Sequence, residues 1–507
     1  MISDKSSSAL RELEKRMACA ETYDEWCEAA QAHDGFSGAE QWKQIDQSRL
    51  YDFSQIRHRL NELQRHRVDQ DDHALMFTLN EGIHGNMGGM GKAALFRSAK
   101  FGTKCLIEDY VGEIVDALEH LAQMDENIIS REEKLDFFHR ARHSYGRAAL
   151  MLSGGGAWGH FHIGVVKALL ESNLLPNVIS GSSAGSLVTA VLGTHTDEQL
   201  EESNHQDALV NEAKKEAKWI NKMLRGERPG INIRDLEEMV ERLVPDLTFQ
   251  EALELTGRNI NISVAPADLH QTSRLLNAIA SPNVYIRTAV MASCAVPGVY
   301  PPVMLKAKNI HGEPQPYLPT RRWVDGSVTD DLPAKRLARL YGVNLYIASL
   351  INPIVLISKD IDDDQTPIPR VLRNVLHQGA TSLAKLGNSV SKNYTQDWPR
   401  FNLVVNMFNS LLNQKYKADI NIYADFRKFD LRKIMSHVSD MELMELEHQG
   451  ELATWPQLER IRLSSKISLA LDNILEQYGE DELRHAARKK SSAKSPKRQS
   501  VAKPKAA

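Results

Sequence analysis

The stretch 148–192 constrains the fold more than any other part of the chain. Ala148-Ala149-Leu150-Met151-Leu152-Ser153 is a short apolar run that stops at Gly154, Gly155 and Gly156, the profile of a buried strand feeding a turn. Over about 159–172, Phe161, Val165, Ala168 and Leu169 fall on one face of a helix. Asn177-Val178-Ile179-Ser180 reads as a second strand, 181–185 as a turn, and 187–192 as the start of a second helix. Strand, helix, strand, helix at this spacing calls for a parallel sheet with crossover helices, because a tight hairpin cannot join parallel strands. Later strands are expected at 259–264, 322–324 and 345–349, with a long charged helical insertion at about 197–255.

The second turn, Gly181-Ser182-Ser183-Ala184-Gly185, carries the Gly-x-Ser-x-Gly pattern that lifts a serine onto a sharp elbow between strand and helix. Small flanking residues are needed because the elbow brings backbone segments too close for side chains. The helix N-terminus behind it favours developing negative charge. Ser183 is the candidate nucleophile, and Ser182 is read as support for the turn. A flexible surface turn has the same composition, so the placement between a buried strand and an apolar helix carries the reading.

Gly154-Gly155-Gly156-Ala157-Trp158-Gly159 also spells the G-x-G-x-x-G of a dinucleotide site. Such a site needs an acid at the end of the next strand to hold a ribose hydroxyl, and that strand ends Ile179-Ser180-Gly181. A bare backbone whose N–H groups face a tetrahedral oxyanion is the better match. Gly154, Gly155, Gly156 and Ala157 are therefore candidate oxyanion-hole residues, with Gly159, Gly181, Gly185 and Gly326 as supporting glycines. Gly88-Gly89-Met90-Gly91-Lys92 lacks the spacing and the Ser or Thr of a phosphate loop.

A serine nucleophile needs a base. His160, His162, His195 and His270 lie near the motifs, but His160 and His162 follow the glycines on a helix, where capping or packing suits them better. Asp325, within Arg322-Trp323-Val324-Asp325-Gly326-Ser327, stands at the end of an apparent strand and before a glycine, although an ordinary Asp-Gly turn explains the same residues. An aspartate with a usual pKa of ~4 is a weak base, so a Ser–Asp pair requires a site that desolvates the carboxylate.

At 507 residues the chain exceeds one compact core. Residues 1–145 read as a helical N-terminal domain, 146–350 as the catalytic core, 351–480 as a mixed C-terminal extension, and 487–507 as a disordered basic tail. Within the extension, 455–478 carries the clearest apolar stripe. The four cysteines, Cys19, Cys27, Cys105 and Cys294, form no pair at metal spacing, which fits a reducing, cytoplasmic compartment. No signal peptide and no membrane-spanning run stand out, and no metal or cofactor is expected. The formal net charge is −4. From Arg488 onward there are Lys and Arg residues but no acids, so the tail is either a solubilising segment or a peripheral contact with an anionic lipid surface. Nucleic acid is not expected as a partner.

The glycine loop, the Gly-x-Ser-x-Gly elbow and the Asp-Gly-x turn, in this order, resemble the patatin-like phospholipase family. Ser281-Pro282-Asn283-Val284, Ala292-Ser293-Cys294-Ala295-Val296-Pro297-Gly298 and Tyr300-Pro301-Pro302 resemble its triacylglycerol-lipase branch. So do Tyr23-Asp24-Glu25-Trp26, Arg140-Ala141-Arg142-His143-Ser144-Tyr145-Gly146-Arg147, Gly450-Glu451 and Thr454-Trp455-Pro456. The likeness covers roughly 10–480. It implies a patatin-like three-layer α/β/α core with a mainly parallel sheet behind a helical domain. It also implies a Ser183–Asp325 dyad without histidine, and hydrolysis of a long-chain lipid ester, triacylglycerol foremost. Trp158 stands where many members carry Arg or Lys, and Ser327 where many carry Gly or Ala; neither removes a group the chemistry requires. Phospholipid hydrolysis, acyl transfer on the same dyad, and a silent lipid-surface binding protein remain the alternatives.

Overall fold

The computed structural model describes residues 4–83, 85–202, 233–268, 272–297, 300–327, 331–351, 418–424 and 440–493. His270 and most of the expected extension lie outside them. Two compact units divide the chain without following its order. One gathers Met1–Lys43, Ala93–Thr103 and Arg147–Arg462; the other gathers Gln44–Lys92, Lys104–Gly146 and Leu463–Ala507.

The first unit is built on a sheet. Its strands are β1 (Arg147–Leu152), β2 (Val178–Gly181), β3 (Asn259–Pro266), β4 (Arg274–Leu276), β7 (Trp323–Asp325), β8 (Val343–Leu350) and β9 (Ile420–Tyr423). The order is β4-β3-β2-β1-β8-β9, with every pair from β3 to β9 parallel and β4 antiparallel. A separate hairpin pairs β5 (Lys306–Lys308) with β6 (Pro314–Pro316). Val264 pairs with Arg274 of β4 and also with Asp325 of β7. The short antiparallel β7 therefore occupies the edge of β3 that β2 leaves after Gly181↔Ile262. This placement delivers Asp325 to the carboxyl end of β2.

Alternation along the strands feeds two cores. Leu150, Leu152, Ile179, Ile262 and Ile347 pack with Phe161, Val165 and Leu169 of the helix His160–Glu171 and with Val188 and Val191 of the helix Ala184–Thr194. Ala149, Met151, Val178, Ala348 and Leu350 face the other way, onto Leu337 of the helix Ala334–Tyr341. Period-two side chains with helices on both faces make a three-layer α/β/α unit, as expected from the sequence. Each fully buried Leu or Ile contributes about 2 kcal/mol from area removed from water.

The sequence places a terminal helix at 455–478. The helix observed is Asp440–Ala493, with Pro456 inside it. A proline gives up one intrahelical bond and costs about 3 kcal/mol, yet Leu443, Leu446, Trp455, Leu458 and Ile461 are all buried in the first unit's core. Gly164 and Gly450 let this helix cross the helix His160–Glu171. A Cβ on Gly164 would overlap the Glu447 carbonyl, and one on Gly450 the Phe161 carbonyl. The helix also enters the stretch expected to be disordered, since Ala, Lys and Arg are good helix formers; 494–507 lie outside the described residues.

The second unit is helical. Phe53–Val68, Asp72–Gly82 and Arg131–Tyr145 start on the side-chain caps Asp52, Asp71 and Ser130. The helix Cys105–Gln123 buries Tyr110, Val111, Ile114, Leu118 and Leu121 at three- and four-residue steps. Between Gly82 and Gly91 the chain turns through Asn86, Gly88 and Gly89 at positive φ. Among the described residues no helix is long and apolar enough to cross a membrane, and no cluster of His, Cys, Asp and Glu suits a metal ion.

Candidate active site

Three turns at the carboxyl ends of β1, β2 and β7 meet around Ser183. At φ 48° and ψ −121° it caps the helix Ala184–Thr194 in a conformation that L-residues avoid, a strain of about 1–3 kcal/mol. Surrounding bonds hold it there. The Ser183 N–H donates to Ser293 Oγ at 2.9 Å, and that hydroxyl donates to the Ser263 carbonyl at 2.8 Å. The Ser183 carbonyl accepts the Ser186 hydroxyl at 2.6 Å and the Ser186 N–H at 2.8 Å. Both flanking glycines are obligatory. A Cβ on Gly181 would run into the Gly185 carbonyl, and one on Gly185 would lie 2.8 Å from the Leu152 carbonyl carbon. The tight approach of Gly185 to β1 is what fixes the elbow on the sheet.

Asp325 is 1% exposed. Burial pushes its carboxyl up to about 6, partly offset by the bond from the Ser327 N–H (2.8 Å) and by the nearby hydroxyls of Ser327 and Ser183. The Asp325 N–H donates to the Ala295 carbonyl at 3.0 Å. Gly326 has no room for a side chain, because a Cβ would strike the backbone at Ser263. The serine and carboxylate read from the sequence thus stand close enough for the Ser183 hydroxyl to act on the carboxyl.

The glycine loop leaves β1 and turns at once into a short 3-10 helix, Gly156–Gly159, with Gly156 at φ 57°. Gly154 is where the three turns converge. A Cβ there would stand 3.0 Å from Ser327 Cβ and 3.4 Å from Ser183 Cβ. Among the described residues, the N–H groups of Gly155, Gly156 and Ala157 meet no acceptor outside their own turn. The Gly154 N–H differs: it donates to Asp331 Oδ1 at 2.8 Å. The same oxygen accepts the Ser182 hydroxyl. Gly159 lies against Ala184, its added Cβ 3.2 Å from the alanine methyl. Trp158 is buried in the core.

The nearby histidines serve other ends. His162 is fully buried. One ring nitrogen, Nε2, lies 2.9 Å from the Ser153 carbonyl, and the other, Nδ1, lies 2.7 Å from Ser349 Oγ. A carbonyl only accepts, so Nε2 carries the proton and Nδ1 accepts from the serine. Burial pushes the ring's pKa down to about 4. Both nitrogens are committed to tying β1 to β8. His195 Nδ1 lies 3.0 Å from the Val191 carbonyl at the end of its helix. Sequence reasoning missed Asp331, Ser293 and the Ser153–His162–Ser349 link. A lone Asp or Ser carries no local signal of a partner more than a hundred residues away.

Residues 150–338 match the patatin-like phospholipase family, and residues 4–143 match a domain of unknown function, DUF3336. Triacylglycerol lipase SDP1L of Arabidopsis thaliana is 33% identical over 475 residues, covering 90% of this chain and 57% of that one. Triacylglycerol lipase 4 of Saccharomyces cerevisiae is 32% identical, covering 90% and 52%. Triacylglycerol lipase ptl2 of Schizosaccharomyces pombe is 31% identical, covering 89% and 73%. The chain thus spans little more than half the length of the first two curated relatives.

Proposed function

Because the chain belongs to the patatin-like phospholipase family, we propose that it is a serine acyl hydrolase of long-chain lipid esters, with triacylglycerol as its substrate class. The meeting of the strained Ser183 elbow with a buried, proton-hungry Asp325, whose carboxyl feels the Ser183 hydroxyl, carries this reading. A carboxylate held near 6 is ionised at neutral pH and still basic enough to take a proton in the transition state. Asp325 takes the Ser183 proton as Oγ attacks the ester carbonyl, then returns it to the departing alcohol. The acyl group remains on Ser183 until water, deprotonated by Asp325, releases the fatty acid.

The N–H groups of Gly155, Gly156 and Ala157 receive the oxyanion, with the N-terminus of the helix Ala184–Thr194 adding its positive end. Gly154 is withdrawn from the four-residue oxyanion hole expected from the sequence, because its N–H is engaged by Asp331. The relatives' names favour acylglycerol over phospholipid. The basic residues from Arg488 onward supply a peripheral contact with anionic lipid.

A lipid panel tests the proposal. Wild type, Ser183→Ala and Asp325→Asn are incubated with triacylglycerol, diacylglycerol, phospholipid and lysophospholipid emulsions, and released fatty acid and transacylation products are measured. Triacylglycerol should give the fastest release, and both variants should fall at least ~10³-fold. A folded Ser183→Ala protein with wild-type release would overturn the dyad. Faster release from phospholipid, or a dominant transacylation product, would overturn the substrate class alone.

A further inference from the structure

We propose that Asp331 is a positioning residue that locks the glycine loop onto the nucleophile elbow and so aims the Gly155–Ala157 N–H groups at the oxyanion. The inference rests on the hydrolase reading above and assigns a part of the machinery outside the dyad. Asp331 is 1% exposed, and one of its oxygens, Oδ1, accepts two donors. These are the Gly154 N–H at 2.8 Å and the Ser182 hydroxyl. The first donor opens the loop after β1; the second precedes Ser183 in the turn after β2. The two turns are also tied by the Ser182 N–H donating to the Leu152 carbonyl at 3.2 Å, a bond at the strand ends that does not reach the loop from Gly154 onward.

A buried carboxylate accepting both donors makes loop and elbow one rigid piece. Gly154 has no side chain to lock its own conformation, and a Cβ there would press on both Ser327 and Ser183. Any drift of the loop therefore carries the oxyanion donors away from the serine. An error of about 1 Å in such a constellation costs on the order of 10²-fold in rate. Asp331 does not reach the reacting atoms through these bonds, so its effect should fall on kcat and leave substrate binding alone.

The test uses the full chain and a soluble p-nitrophenyl ester, with kcat, KM and the rate of fluorophosphonate labelling of Ser183 all measured. Asp331→Ala should lower kcat and the labelling rate by about 10²-fold with KM within about twofold. Asp331→Asn keeps an acceptor oxygen and should recover most of the loss. Circular dichroism and melting establish that each variant is folded. If Asp331→Ala does not fold, Ser182→Ala, which removes one of the two bonds, carries the test. A drop in kcat at constant KM supports the proposal, and an unchanged kcat overturns it. A folded Asp331→Ala protein with wild-type kcat, or with a change in KM alone, overturns it directly. Ser183→Ala run in parallel separates the cases. If it stays active, the dyad reading fails; if it is dead while Asp331→Ala is active, only the present inference fails.

Discussion

The acid limb of the pH–rate profile should report Asp325, the one group whose ionisation the proposed reaction needs. With its carboxyl near 6, about half is ionised at pH 6 and about a tenth at pH 5. An ordinary aspartate would be more than nine-tenths ionised at pH 5. The kcat/KM for a soluble ester should therefore fall about tenfold from its plateau to pH 5. Ser327→Ala removes a hydroxyl that helps hold the carboxyl down and keeps the 2.8 Å bond from its N–H. Hydrogen bonds to the charged form hold a pKa down, so this variant should move the midpoint upward by roughly one pH unit.

Stability runs the other way. A carboxyl whose folded pKa is raised lends stability that is present below its ordinary value of 3.8 and is lost as the pH rises through about 6. The activity loss in acid is thus not unfolding caused by Asp325. Stopped-flow ester hydrolysis between pH 4.5 and 9, with circular dichroism at each point, separates the two effects. A wild-type midpoint near 4, or a Ser327→Ala midpoint that stays put or moves down, would refute the burial argument.

His162, pushed down to about 4 by burial, lends stability that is present above pH 6.5 and is lost as the pH falls toward 4, up to about 3 kcal/mol. His162→Ala should lower stability at pH 7.5 by about 2–4 kcal/mol and flatten the acid side of the stability profile; denaturant melts at several pH values check this. Gly185→Ala puts a methyl group on the Leu152 backbone and should abolish activity, with a loss of 3 kcal/mol or more; a wild-type melting curve would contradict the elbow geometry. Gly450→Ala drives a methyl group into the Phe161 carbonyl where two helices cross. It should lower the unfolding midpoint in urea, whereas Gly479→Ala on the same helix, with open space around it, should not.

What the sequence made legible was set by backbone constraint. Gly181, Gly185 and Gly326 can be recognised as a pattern because each sits where a Cβ has no room, and that restriction acts at the residue itself. The alternation of Leu150 and Leu152 against Ala149 and Met151 is legible for the same reason: the strand period sends neighbours to opposite faces. The helix Asp440–Ala493 extends well beyond the apolar stripe at 455–478, running through Pro456, a residue that normally stands at a helix start. The packing of Trp455 and Leu458 that outweighs this lies far away in the chain. The regrouping of 1–43 and 93–103 with the sheet is similarly non-local.

The bonds that hold the site in place belong to this second kind. Ser293 reaches the Ser183 N–H, and Asp331 reaches Gly154 and Ser182, across more than a hundred residues of chain. These bonds nevertheless bear on the residues that were legible. Glycine makes the elbow and the loop sterically possible, but its freedom is also what would let them drift, and Ser183 is strained besides. A strained serine beside a bare loop stays in one geometry only if side chains from elsewhere pin the backbone. The motif glycines and the remote polar anchors are therefore complementary requirements. A chain that kept Gly-x-Ser-x-Gly and Asp-Gly but lost Ser293 and Asp331 would retain the motif and forfeit the fixed spacing of nucleophile, base and oxyanion donors on which the proposed rate depends.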